Sequence, residues 1–164
     1  MSGPRAYGLG LALPRGWDGR IYRRTDADAG LVPASVGQVR AASVHPVVHA
    51  ANFALPEDRG DYGSGAVERM GPNDVLVCLL EFEPSSCADA LFAREGVPRL
   101  RAASYSPHTM QRTIAGMCGT QAFFQVHGRA FCAYSVLGSY RGRYTLAPLA
   151  DRALAGIEID SHAE

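Results

Sequence analysis

The side chains of this chain that could do chemistry are few: five histidines, four cysteines, and two glutamates, Glu81 and Glu83, set two residues apart. His45 and His49 have the i, i+4 spacing of a helical zinc pair, but the glutamate of an H-E-x-x-H motif is missing and Pro46 stands between them. On a strand they lie about 13 Å apart, four residues at about 3.3 Å each, too far to share one ion. No metal and no other cofactor is expected. A thiol hydrolase needs a cysteine beside a histidine that activates it. Cys118, between glycines in "AGMCGTQ" with His108 upstream, and Cys132, with His127 close in sequence, are the two candidate nucleophiles. Neither has an evident third residue to orient the base, and no S-x-x-K, G-x-S-x-G or phosphate-loop motif occurs. Glu81 and Glu83 share a strand face, and a run ending "EFEP" reads as a strand emerging into solvent.

The elements that must position these groups are mostly strands. "AYGLGLALP" alternates, with Leu9, Leu11 and Leu13 on one face, and Pro14 ends it. "GRIYRR" follows as a short strand with Ile21 inward, and "SVHPVVHAANFALP" alternates again, Pro46 marking an edge or a bulge. Val75 to Leu80 is apolar on both faces, as a central strand must be. Ser86 and Asp89 cap a helix running past Phe92, "PRLRAASY" is a strand, and Met110, Ile114 and Met117 fall at helical spacing after Ser106-Pro107. In "AFFQVHGRAFCAYSVLGS" a two-residue turn at Gly128-Arg129 pairs His127 with Ala130, Val126 with Phe131 and Phe124 with Ala133. That register places Val126, Phe124, Phe131 and Ala133 on one face and leaves Arg129 exposed at the tip. Last, Thr145 caps a helix whose apolar stripe is Leu146, Leu149, Ala150, Ala153 and Leu154, stopped by Gly156, with "IEID" as a short closing strand.

Two of these stretches carry a resemblance. Pro14, Arg15, Gly16 and Trp17 match the "P-x-G-W" turn that follows the first strand in the PsbP extrinsic proteins of photosynthesis, the Ran-binding nuclear import factor and mycobacterial LpqN-type lipoproteins. Gly128, Arg129, Phe131 and Tyr134 match the "G-R/K-x-F/Y-x-x-Y" hairpin before their last helix. The chain also resembles a group of actinobacterial proteins carrying "GW-x-GR-I" (Gly16 to Ile21) and "GR-x-F-x-x-Y-x-x-LGS" (Gly128 to Ser139), which supplies no activity to carry over. The resemblance implies a PsbP-like α/β/α sandwich and an accessory binding role. The secretion signal and lipobox cysteine of those families are not expected here.

Composition narrows the classes. With sixteen basic and sixteen acidic residues the net charge is zero, so there is no basic field to hold nucleic acid. Every basic residue is arginine, which removes Schiff-base and P-loop chemistry that needs lysine. No apolar run is long enough for a membrane span, and four scattered cysteines without C-x-x-C spacing read as free thiols of a cytoplasmic chain.

The expected fold is α+β: one domain over residues 1–164, a largely antiparallel sheet of about six or seven strands flanked by helices, PsbP-like. A mobile loop is expected near residues 25–40 and a tail near 160–164. The expected function is a non-catalytic protein-binding or adaptor domain, with Trp17, Arg20, Tyr62, His127, Arg129 and Tyr140 as exposed contact residues. The alternatives are a thiol-dependent enzyme on a small substrate using Cys118 or Cys132, and a structural subunit docking through "GSYRGRY" (Gly138 to Tyr144).

Overall fold

A large antiparallel sheet, packed on one face by a helix and a second, smaller antiparallel sheet, makes this chain α+β. The computed structural model describes residues 3–23 and 45–161. The expected loop at 25–40 and the last three residues of the expected tail lie outside that range. The small sheet is β1 (Arg5–Ala6), β2 (Leu9–Leu11) and β8 (Ile157–Ile159), in the order β1-β2-β8. The large sheet contains β3 (Asp18–Arg23), β4 (Pro46–Ala51), β5 (Val75–Phe82), β6 (Cys118–Val126) and β7 (Arg129–Leu137), in the order β3-β4-β5-β7-β6. One α-helix is present among the described residues, α1 (Arg143–Ala155); it starts at Gly142 as N-cap, so Thr145 lies inside its first turn and does not cap it.

Strand β5 is central, as its unbroken apolar run requires. Val75, Val77 and Leu79 face α1 and the small sheet, while Leu76, Cys78 and Leu80 face the loops on the other side. The stripe of α1 buries Leu146, Ala147, Ala150, Ala153 and Leu154. Pro46 is not on a sheet edge. It opens β4 at the first residue, where a missing N–H costs least, although β4 lies between β3 and β5.

Several expected elements take another form. "AYGLGLALP" is a small hairpin rather than one strand: Tyr7 (φ 55°) and Gly8 (φ 73°) turn the chain between β1 and β2. The large hairpin turns at His127 (φ 53°) and Gly128 (φ 74°), one residue earlier than expected. A type I′ turn needs positive φ at both central residues, and histidine enters that region more readily than most side chains. Moving the turn by one residue moves the pairing by two, so Phe124 meets Phe131 and the same residues keep the core face. These two rings stack at 5.5 Å between centroids.

The expected helix from Ser86 is two 3-10 turns, Pro84–Ala88 and Ala90–Phe92, separated by extended backbone at Asp89. Asp89 caps the second of them by accepting from the Leu91 amide at 2.8 Å. "PRLRAASY" is a loop with one 3-10 turn at Ala102–Ser104, and no helix forms around Met110 to Met117. There the Tyr134 hydroxyl accepts from the Gln111 amide, and Met110 and Ile114 pack on the loop-side core without helical geometry. The "P-x-G-W" stretch is a β-turn: Trp17 N–H donates to the Pro14 carbonyl and Gly16 takes the positive φ (86°) that a type II turn needs at its third residue.

Arg129, expected at an exposed tip, is only 4% accessible. Because the turn lies one residue earlier, Arg129 is the first strand residue and points to the core face. Its Nε and one terminal nitrogen form a fork with Glu81, at 2.9 and 2.7 Å. Its remaining donors reach the carbonyls of Tyr7, Gly8 and Asp160 at 3.0 to 3.1 Å. Glu81 therefore does not emerge into solvent; its side chain is 8% exposed in this pair. Breaking a buried pair strands one charge. Arg129→Met is expected to lower unfolding free energy by about 3–5 kcal/mol in denaturant titration. Adding Glu81→Leu is expected to recover part of that, since no carboxylate is then left unpaired; equal stability of Arg129→Met and the parent would remove the pair from this role.

Candidate functional site

The groups singled out for chemistry are mostly spent on holding the fold. His49 is fully buried on β4, facing the loop side of the sheet opposite Cys78. Its Nδ1 accepts from Arg59 Nε at 2.9 Å and its Nε2 donates to the Asp61 carbonyl at 2.8 Å. Tyr22 packs edge-on against the ring, and the Tyr22 hydroxyl donates to the Asp61 carboxylate at 3.0 Å. Both ring nitrogens are thus engaged with the loop that covers this face, and neither is open to a metal. Among the described residues, no group of three or more His, Cys, Asp or Glu is arranged to hold an ion.

Burial, and secondarily the nearby Arg59 charge, lower the His49 pKa to about 3. The unfolded chain takes up this proton near pH 6.5 and the folded chain does not until about pH 3. Stability from this group is therefore complete above pH 6.5 and falls as pH drops from there toward 3, by at most about 1.4 kcal/mol per pH unit.

The two candidate nucleophiles are also closed. Cys118 lies in the core beneath α1 and Cys132 on the loop side next to Cys78, all three fully buried. Burial pushes the Cys118 thiol up to about 11 and that of Cys132 to about 12, and raises Cys78 further. His108 is exposed on its loop and His127 exposed at the hairpin tip. Neither cysteine has the thiolate character that nucleophilic catalysis uses.

The six expected contact residues do not form one surface. Trp17 and Tyr140 are half-buried against the helix-side core, and Tyr62 is half-buried against the Tyr134 ring on the other face. Arg20 is exposed on β3 within 3.5 Å of Asp18, His127 is exposed at the hairpin tip, and Arg129 is buried as described.

Concavities open on both faces of the large sheet among the described residues. One, about 240 Å³, opens on the loop face among Tyr62, Val67, Gln111, Arg112, Ile114 and Tyr134. It falls below the usual size of a ligand pocket, about 300–1,000 Å³. The other is an open groove of about 760 Å³ between α1 and the loop at Arg99 to Ala102. Its helix wall is a second stripe, Tyr144, Ala147, Pro148, Asp151, Arg152 and Ala155, at the i, i+3, i+4 recurrence of one helix face. It continues into a recess of about 350 Å³ lined by Arg94, Glu95, Val97, Arg99 and Arg101.

The loop side of this groove is tied down by hydrogen bonds. Asp151 accepts from the Leu100 amide at 2.7 Å and from Arg99 Nε at 2.8 Å, drawing the loop onto the helix. Leu100 and Tyr105 anchor the loop in the core, and Tyr105 donates to Ser135 Oγ at 2.9 Å. At the other end, Gly96 N–H donates to the Gln125 carbonyl and Gln125 N–H to that of Arg94, so this segment extends the edge of β6. Tyr144 is 67% exposed, and the Arg143 guanidinium lies between its ring (4.7 Å) and that of Tyr140 (4.0 Å). None of Arg99, Arg101, Tyr144 or Arg152 is among the six residues read from the sequence. The signals that could have found them were the second stripe of the helix and the arginine spacing in "REGVPRLR".

No family model, curated protein or solved structure matches this chain. In native protein, iodoacetamide at neutral pH is expected to leave Cys78, Cys118 and Cys132 unlabelled and to reach only the half-buried Cys87. Peptide mapping by mass spectrometry reads this directly, and fast labelling of Cys118 or Cys132 would restore the thiol-enzyme alternative.

Proposed function

We propose that this protein is a non-catalytic binding or accessory domain that docks another protein on the face formed by α1 and the 94–104 loop. The observation that carries this is the groove itself: an exposed aromatic side chain, Tyr144, beside guanidinium groups on a wall held by Asp151 and by core residues. Tyrosine and arginine are enriched where proteins bind one another, because each couples a broad apolar surface to directional donors. The loop wall is anchored before any partner arrives, so little ordering is left to oppose association.

A PsbP-like sandwich is the finer fold reading. In its favour are the type II "P-x-G-W" turn after the first strands and the hairpin β6-β7 leading into a helix packed on one face. The other face, covered by loops and 3-10 turns among the described residues, is the point where a two-sided sandwich is not matched. A cytoplasmic setting is supported by four unpaired thiols. Among the described residues no helix is long and apolar enough to cross a membrane.

A photo-crosslinking residue at Tyr144, expressed in the native host, is expected to yield an adduct with a second polypeptide. The same group at Glu57, exposed on the loop face, is expected to yield none. Identical adduct patterns at both positions, or none at Tyr144, would defeat the proposal.

A further inference from the structure

We infer that the groove along α1 recognises a carboxylate-rich peptide segment, so that the partner docks through an extended acidic stretch. This rests on the binding role proposed above and names the chemistry of the occupant. The joined groove and recess are lined by four arginines, Arg94, Arg99, Arg101 and Arg152, against two acids, Glu95 and Asp151. Of those acids, Asp151 is already committed to the Leu100 amide and Arg99. Arg94, Arg101 and Arg152 are exposed and have no carboxylate partner among the described residues. A protein of zero net charge thus gathers unpaired positive charge on one face.

Arg99 adds direction to that charge. It gives Nε to Asp151, its side chain remains 71% exposed, and neither terminal nitrogen has a partner among the described residues. A guanidinium held in this way presents two parallel N–H donors, the fork that matches a carboxylate.

The helix wall favours a peptide over a polynucleotide or a bare anion. Pro148 lies inside α1 and belongs to the groove's helix wall beside Tyr144. A peptide brings apolar side chains as well as carboxylates, whereas a phosphodiester backbone brings charge alone. Tyr144, Pro148 and Val97 supply apolar contact for side chains between the acidic residues.

The test uses the full chain and a short fluorescent peptide alternating glutamate with leucine, read by anisotropy at low and at physiological salt. Binding is expected, weakening as salt rises. Arg101→Glu combined with Arg152→Gln is expected to weaken it about a hundredfold. Neither residue has an ion pair among the described residues, and a thermal melt checks that the variant stays folded. Arg112→Glu, a charge reversal at the loop-face cavity, is expected to leave binding unchanged. Absence of binding, equal loss in Arg112→Glu, or tighter binding of a serine-phosphorylated peptide or a single-stranded oligonucleotide would each overturn the inference. If crosslinking from Tyr144 still captures a partner while the acidic peptide fails, the binding role stands and only its chemistry falls; if both fail, both fall.

Discussion

A buried guanidinium has to find an acceptor for each of its five N–H donors, and the way Arg129 does so governs the assembly of this molecule. Glu81 on the neighbouring strand supplies two acceptors, and the carbonyls of Tyr7, Gly8 and Asp160 supply the others. Those three carbonyls come from the tip of the first hairpin and from the exit of the last strand. One side chain in the large sheet thereby fixes the place of both ends of the described chain. The small sheet could not slide along the core without stranding donors on Arg129 and a charge on Glu81, and its Leu9, Leu11 and Ile157 would leave the cluster they share with α1.

The same economy extends to other polar groups in the interior. His49 gives both nitrogens to the loop over one face, Ser135 relays a hydrogen bond from Tyr105 to the Leu76 carbonyl, and Asp151 ties the 99–102 loop to the helix. Each joins a segment of irregular backbone to a regular element, which is where an all-apolar contact would leave register undefined. No buried side-chain nitrogen or oxygen among the described residues lacks a partner. Arginines without a carboxylate partner among the described residues lie on the surface, those beside α1 among them. On the binding role proposed above, recognition would use groups outside the core.

Much of the framework could be read from residue order. The double-sided apolar run of β5 has no stable place except the middle of a sheet, and the five-residue stripe of α1 has only one face to bury. The core face of the β6-β7 hairpin was legible too, because a two-residue slip in pairing leaves every side chain on its own side. Capping and spacing misled where the apolar residues could be buried from a loop. Asp89 caps a 3-10 turn as readily as a helix, and Ile114 reaches the core from irregular backbone.

By itself, then, the order of residues determined the strand-rich class, the central strand, the terminal helix and the absence of a complete motif for catalysis, since all of these follow from local periodicity and residue type. Only the tertiary structure decided that Arg129 is a core residue rather than an exposed tip, that His49 is a loop anchor, and that Arg99, Arg101 and Arg152 share a groove with Tyr144. The reason is physical: whether a polar side chain is spent or free depends on which acceptors distant segments bring to it. Those acceptors are main-chain carbonyls and carboxylates whose positions no local pattern encodes.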